Sequence, residues 1–152
     1  MTTVRAIINN LRPGVLDFGL DAAIEWQVKE FQCRSGIVCD VLFDRQKCEI
    51  DDHCATALFR ILQESLTNIN RHAQATRVNI VLRRDDQRLS LSIADNGIGI
   101  RPGCRRKANS FGLVGISERI SRLGGELTID SARGSGTTLA MTIPMAVQFC
   151  PI

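Results

Sequence analysis

Polar side chains recur at a helical interval in the middle of the chain. Glu64, Asn68 and His72 are spaced i, i+4, i+8, so on a helix they form one stripe within roughly 80° of arc. The stripe runs beside an apolar one, at the rim of the core, where a ligand can bind. Carboxylate and amide oxygens suit Mg²⁺, and Arg71 with His72 would meet phosphate charge. An ordinary solvated helix face would show the same pattern.

A carboxylate stands at the end of an alternating segment. Counting by twos from Leu89 reaches Asp95, which predicts that its side chain points to the buried, helix-facing side of a sheet. An unpaired buried carboxylate is costly, and a ligand N–H such as the exocyclic amine of adenine would satisfy it. Gly97 and Gly99 permit a close approach of backbone to ligand. The alternative is a simple turn in which the carboxylate bonds to the backbone.

Two glycine-containing segments occur further along the chain. Residues 111–116 read FGLVGI and enter a predicted helix, and residues 134–138 read GSGTT. N–H groups at the start of a helix attract phosphate, although packing or a hairpin turn explains either segment alone equally well. Neither G-x-x-x-x-G-K-[ST] nor a G-x-G-x-x-G after a strand is present. A nucleotide site would therefore be assembled from separated segments.

The elements that must position these residues follow from hydrophobic spacing. Apolar residues at helical intervals predict three helices, after about Leu20, over about Asp52 to Ala73, and near residues 113–123. Alternating or β-branched segments predict strands at residues 37–43, 78–82, 89–93, 126–131 and 138–143. The expected fold is a two-layer α/β sandwich, with a mixed, mainly antiparallel sheet of about five strands packed against three helices.

Composition narrows the class of protein. The 152 residues suit one domain, and 19 basic against 16 acidic residues, evenly spread, give no reason to expect nucleic acid. No apolar run is long enough to cross a bilayer, so no membrane contact by this chain is expected. The six cysteines include no C-x-x-C pair, which favours buried free thiols in a reducing cytoplasm over disulfides.

Taken in chain order, the polar helix, the Asp95 turn and the two glycine-containing segments resemble the ATP-binding (Bergerat-type) fold shared by gyrase, the Hsp90 chaperone, histidine kinases and the MutL repair protein. The resemblance covers essentially the whole chain. It is nearest to sensor histidine kinases whose transmitter carries a Leu-Arg-Pro segment followed by a glycine-leucine helix, here residues 11–13 and 16–20. Residues 63–73, QESLTNINRHA, look like the asparagine box of that subfamily.

The resemblance implies a role for each matched position, with ATP and Mg²⁺ as cofactors. Asn68 would coordinate Mg²⁺, Glu64 would act in the metal shell or as a base, and both would be catalytic. Asp95 would accept a hydrogen bond from the adenine amine. Residues 101–110 would form a lid whose basic side chains meet phosphate, a partner domain or only solvent. The other implied nucleotide-binding residues are Arg71, His72, Gly97, Gly99, Gly112, Leu113, Gly115, Gly136 and Thr137.

The resemblance also implies partners and a domain division. Residues 1–14 would be the tail of a dimerisation helix with its linker, and residues 15–152 the ATP-binding domain. The partners would be a histidine-bearing dimerisation domain of the same parent protein and a cognate response regulator. The location of this chain would be cytoplasmic, whether or not the parent protein is anchored in a membrane, and this chain is expected to be a monomer.

The chain departs from the subfamily in two respects. Phe111 and Ile116 stand where the subfamily tends to place His and Met, and no His-Asp or His-Glu phosphoacceptor motif occurs in the sequence. This chain alone is therefore expected to bind nucleotide without phosphorylating itself. The alternatives are a self-contained ATPase with Glu64 activating water, an anti-sigma-type kinase acting on serine, and a degenerate nucleotide-binding module that serves as an interaction surface.

Overall fold

The computed structural model describes residues 13–44, 50–85, 87–99 and 113–145, in which one sheet carries helices on one face. A 3₁₀ turn at Gly14–Phe18 leads into the first helix. The helices are α1 at Leu20–Ser35, α2 at Asp52–Asn68 and α3 at Leu113–Arg122, and the strands are β1 at Val38–Phe43, β2 at Arg77–Arg84, β3 at Arg88–Asp95, β4 at Glu126–Ala132 and β5 at Gly136–Pro144. A π-helical turn, Ile69–Ala73, continues α2.

The sheet has the strand order β1-β2-β3-β5-β4. β1 and β2 are parallel, which requires a crossover connection, and α2 provides it. The other neighbouring strands are antiparallel. The β2–β3 connection is tight, since the Asp85 carboxylate accepts from the N–H groups of Gln87 and Arg88 at 2.7 and 2.6 Å. The predicted two-layer sandwich with a mixed five-stranded sheet and three helices is confirmed.

The core lies between the sheet and the helices. Alternate residues of the three central strands face it and are at most 7% exposed, whereas the residues between them face away from the helices. α2 supplies the other side of the core with Leu58, Phe59, Ile61, Leu62 and Leu66, each at most 1% exposed. The alternate side chains of the strands and the apolar face of α2 therefore pack together in the core and place one end of β3 beside α2.

The first helix is fixed at both ends. The backbone of Gly36 is left-handed, with φ 74°, and its N–H donates to the Gln32 carbonyl, which ends the helix. Near the start of α1, Asp21 forms an ion pair with Arg84 at the end of β2. The 3₁₀ turn before α1 was not predicted from the sequence.

β1 is an edge strand whose outward side is partly apolar. Val38 and Leu42 are 45% and 59% exposed on that side. Asp40 lies between them and pairs with Arg77 of β2, Oδ2 to Nη1 at 2.6 Å. The edge is therefore interrupted by charge at its centre.

The cysteines differ from the expectation of buried thiols at one described position. Cys54 is buried, Cys39 is half-buried and Cys33 is exposed. Cys33 is an exception because it lies on the face of α1 opposite Ile24 and Phe31, which are in the core. All three are free, and Cys48, Cys104 and Cys150 lie outside the described residues.

Alkylation by iodoacetamide at pH 8 should distinguish these thiols. Burial, with a smaller contribution from Asp51, raises the pKa of Cys54 from 9.0 to about 11, which cuts its thiolate fraction about 100-fold. Peptide mass spectrometry should find Cys33 modified at least about ten times faster than Cys54 in the folded chain, and the difference should vanish in urea. Equal rates before unfolding would contradict the burial of Cys54.

Within the described ranges, no helix is long and apolar enough to cross a membrane.

Candidate functional site

Four strand ends converge at one end of the sheet. Asp95, the last residue of β3, pairs with Val78 near the start of β2, and Ala132 at the end of β4 pairs with Gly136 at the start of β5. The π turn that continues α2 ends at Ala73 and reaches the same place through contacts with the residues after Asp95. The separated segments identified in the sequence are thus brought together here in part.

Asp95 is the acidic group of this cluster. It follows Ile93 in the alternation, on the helix-facing side, and is half-buried. Its Oδ1 accepts from the Gly97 N–H at 2.8 Å, and the Thr137 N–H also bonds to the carboxylate. Burial raises the pKa of Asp95, and these two hydrogen bonds act against that rise. A half-buried carboxylate of this kind retains capacity to accept a further hydrogen bond from a ligand.

The turn after Asp95 is pressed against the end of α2. The Ile98 N–H donates to the Ala73 carbonyl at 2.8 Å. A Cβ on Gly97 would overlap that carbonyl oxygen and lie 2.9 Å from the Ala73 Cβ. Gly97 is therefore required for contact between the β3 turn and the helix, whatever it also does for a ligand.

The same turn is packed on its other side against the β4–β5 hairpin. Gly99 has φ 76°, and a Cβ there would overlap the Ala132 carbonyl oxygen. Gly136 has φ 81°, and its Cβ would overlap the carbonyl oxygen of Asp95. Next to Gly136, the Thr137 hydroxyl lies 3.0 Å from the hydroxyl of Ser131. Three glycines thus allow the turn after Asp95 to pack closely against Ala73 and Ala132, and the start of β5 to pack against the Asp95 backbone.

Asn96 was not singled out in the sequence, although it holds this corner together. Its Oδ1 accepts from the N–H groups of Thr76 and Arg77 at 2.9 and 3.0 Å, and its Nδ2 donates to the Thr76 hydroxyl. The side chain thus joins the end of β3 to the start of β2. The Asp-Asn-Gly run was a signal for a turn, but not for this bond.

The polar stripe of α2 continues from the α-helix into the π turn. Glu64 and Asn68 are both part-exposed on the α-helix, and the chain then widens into the π turn, which contains Arg71 and His72. A π turn has more residues per turn than an α-helix, so four residues still make close to one full turn and Asn68 and His72 remain on one side of the helix. Arg71 and His72 are exposed, beside the Ala73 contact with the β3 turn.

Glu64 has a partner that the sequence did not indicate. Its Oε1 lies 3.3 Å from Nη2 of Arg119 on α3. Its Oε2 is shielded from solvent and has no hydrogen-bond partner within the described part of the chain. No spacing rule links Arg119 to Glu64, because they are 55 positions apart and meet only when α2 and α3 pack.

The remaining predicted residues lie at the start of α3 or before it. Leu113 is buried and begins the helix, and Gly115 is half-buried with open space where a Cβ would point. Gly112, Phe111 and the predicted lid at residues 101–110 lie outside the described residues. So do residues 1–12, including Leu11 and Arg12.

Comparison with known proteins identifies the family to which this geometry belongs. Residues 54–147 match the model of the histidine kinase-, DNA gyrase B- and HSP90-like ATPases, which is more than half of the chain. The chain belongs to this family. Membership of the ATPase family implies ATP binding, and the matched residues include α2, the Asp95 turn and the β4–β5 hairpin.

Curated relatives extend the similarity beyond the family match. The chain is 35% identical over 149 residues to the signal transduction histidine-protein kinase/phosphatase DegS of Brevibacillus brevis, covering 97% of this chain and 38% of that protein. It is 34% identical over 143 residues to the sensor histidine kinase LiaS of Bacillus subtilis, covering 93% and 39%. The chain thus spans about two fifths of the length of these relatives.

Solved structures of histidine kinases share the ATPase family fold seen here. The mycobacterial sensor histidine kinase MprB superposes with a TM-score of 0.65 at 22% identity, covering 82% of this chain and 93% of that one. The blue-light activated histidine kinase of Erythrobacter litoralis EL346 gives 0.67 at 22%, covering 82% and 41%. At these identities the structures establish the fold only.

Proposed function

We propose that this chain is the catalytic, ATP-binding domain of a two-component sensor histidine kinase. It would hold Mg-ATP for attack by a histidine on a separate domain of the parent protein, which would pass the phosphoryl group to a response regulator. The observation that carries the proposal is the half-buried Asp95 carboxylate, which accepts from the Gly97 N–H at the end of a sheet in a chain of this ATPase family.

The adenine base would bind at Asp95. The carboxylate already accepts from the Gly97 and Thr137 N–H groups, so its remaining lone pairs are directed by a rigid corner. An exocyclic amine donates to such an acceptor, whereas the carbonyl at the same position of guanine would meet it acceptor to acceptor. Gly97, Gly99, Gly136 and Thr137 would form the pocket around the base.

The phosphates and the metal would lie toward α2 and the start of α3. The carboxylate of Glu64 and the amide of Asn68 lie four residues apart on one helix. Both groups supply oxygen ligands, which suit a hard cation. Mg²⁺ bound with ATP would neutralise charge on the phosphate oxygens. Asn68 would be its direct protein ligand, and Glu64 would orient water or serve as base. Arg71, His72, Gly112, Leu113 and Gly115 would contact the phosphates or frame them.

The protein's contribution to the transfer would be mainly positioning. The Ala73 carbonyl, at the end of the π turn that continues α2, accepts from the Ile98 N–H and so connects the adenine corner to the helix that carries the stripe. Fixing both ends of the nucleotide would leave the terminal phosphate as the reactive group and limit its orientations. A histidine from another domain could then attack in line.

Calorimetric titration of the chain with nucleotides tests this proposal. We expect Mg-ATP to bind at least about tenfold more tightly than Mg-GTP, because a site built to accept a hydrogen bond rejects a ligand that lacks the donor. Removal of Mg²⁺ with EDTA should weaken ATP binding. Equal affinity for the two nucleotides would refute the adenine assignment, and binding of neither would refute the proposed function.

A further inference from the structure

Two arginines flank Glu64 between the helices. Arg60 precedes Glu64 by one helical turn on α2, and Arg119 reaches it from α3. Burial lowers the pKa of Arg60, as does the charge of Arg119, and Glu64 acts in the opposite direction. The three charges are therefore near one another, with the carboxylate offsetting the repulsion between the guanidinium groups.

The cluster is anchored to the first helix. Nη1 of Arg60 donates to Oε1 of Gln63 at 2.9 Å, and Nε2 of Gln63 donates to Oε1 of the buried Gln27 on α1 at 3.1 Å. Polar side chains thus connect α1, α2 and α3 across the rim of the core. Such a network holds its members in one arrangement more firmly than a surface ion pair does.

The ion pair leaves one oxygen and one nitrogen unused. Oε2 of Glu64 and Nη1 of Arg119 have almost no accessible surface and no hydrogen-bond partner among the described residues. Buried polar atoms of this kind are costly unless water, an ion or another group pairs with them. The Glu64 carboxylate therefore has one oxygen held by Arg119 and one for which the described residues supply no partner.

We propose that Arg119 is a positioning residue for the cation site. By holding Oε1, it fixes the orientation of the Glu64 carboxylate on the face of α2 that carries Asn68, so that Glu64 serves the shell of a metal whose direct ligand is Asn68. This inference rests on the proposed binding of Mg-ATP at α2. It gives α3 a role that reaches the metal through Glu64 rather than through contact with nucleotide.

Two effects of the arginine can be separated. Mg-ATP is an anion and ATP in EDTA carries still more negative charge, so if Arg119 acted by charge alone its removal would weaken ATP binding in EDTA at least as much as Mg-ATP binding. Loss of a group that orients a metal-binding side chain instead weakens binding when the metal is present, typically by 10- to 100-fold in metal affinity. The dependence of the loss on Mg²⁺ therefore decides between them.

The test is the affinity of the chain for ATP with Mg²⁺ and with EDTA, measured for wild type, Arg119→Met and Arg119→Lys. We expect Arg119→Met to weaken Mg-ATP binding about tenfold and to change ATP binding in EDTA less than about twofold. Arg119→Lys, which keeps a donor and the charge, should recover most of the loss. Combining Arg119→Met with Glu64→Gln should be no worse than Glu64→Gln alone, because the two side chains act through one contact.

Arg122→Met provides the matched control. Arg122 is on the same helix, is exposed, and makes no ion pair within the described ranges, so the variant removes the same charge without touching Glu64. It should bind Mg-ATP as wild type does. Thermal unfolding of each variant shows whether it is folded at the temperature of the titration.

Two results would overturn the inference while leaving the proposed function intact. One is unchanged or tighter Mg-ATP binding by folded Arg119→Met, when the wild-type chain binds Mg-ATP. The other is an equal loss with Mg²⁺ and with EDTA, which would indicate general disturbance of the site. If the wild-type chain binds no ATP at all, the proposed function fails first, and this inference fails with it.

Discussion

Replacing Asp95 with asparagine should reduce the affinity for Mg-ATP by about 100-fold, the loss expected when a charged acceptor is removed and a donor takes its place. The backbone N–H groups of Gly97 and Thr137 already point at this side chain. Whichever way the amide of Asp95→Asn turns, its NH₂ group faces either those donors or the adenine amine. The variant keeps the shape of aspartate, so calorimetric titration reports the hydrogen bond rather than a cavity.

Asp44→Asn is the control for this substitution. Asp44 is exposed just beyond β1, at the opposite end of the sheet, because Phe43 pairs with Leu82 whereas Asp95 pairs with Val78. It makes the same change of charge and should leave the affinity within about twofold, as surface substitutions remote from a site usually do. An Asp95→Asn chain that is folded and binds Mg-ATP normally would rule out the adenine assignment.

Gly136→Ala should be the most damaging single-methyl change to stability, lowering the free energy of unfolding by about 3 kcal/mol or more. The backbone there has φ 81°, and the new Cβ would lie 2.8 Å from the carbonyl carbon of Asp95 and overlap its oxygen. The strand end would have to move away from Asp95. Urea unfolding followed by circular dichroism measures the loss.

Gly134→Ala separates backbone strain from overlap. Gly134 has nearly the same φ, 80°, but a Cβ there meets nothing within 4 Å. It should therefore cost only the strain of a left-handed alanine, about 1 kcal/mol. If the two variants are equally destabilised, close packing of Gly136 on Asp95 does not determine the stability of this corner.

The period of the hydrophobic pattern explains why much of the fold was predictable. Leu89, Leu91 and Ile93 alternate strictly, so the side of the sheet on which Asp95 lies could be counted along the strand. The helical interval along α2 likewise predicted Glu64 and Asn68 on one face. Such rules act within one element, and they hold while the element is regular.

What the sequence could not indicate depends on contacts between elements or on a change of winding. Arg119 meets Glu64 only through the packing of α2 on α3, and Asn96 bonds to Thr76 only because β2 and β3 are in register. The π turn after Asn68 was not predicted either, because no residue within it is a recognised signal for that winding. Part of the predicted site, including Gly112, lies outside the described residues and stays a prediction.

The charged centre of the outer strand β1 has a consequence for how copies of the chain meet. The backbone at the outer edge of a sheet can form hydrogen bonds with a strand of another chain. The exposed side chains of Val38 and Leu42 would add apolar contacts to such a pairing. Asp40, tied to Arg77, would place like charges opposite each other if two β1 strands paired antiparallel about that residue. Asp40 therefore disfavours self-association of the chain through the edge of β1, whether or not nucleotide is bound.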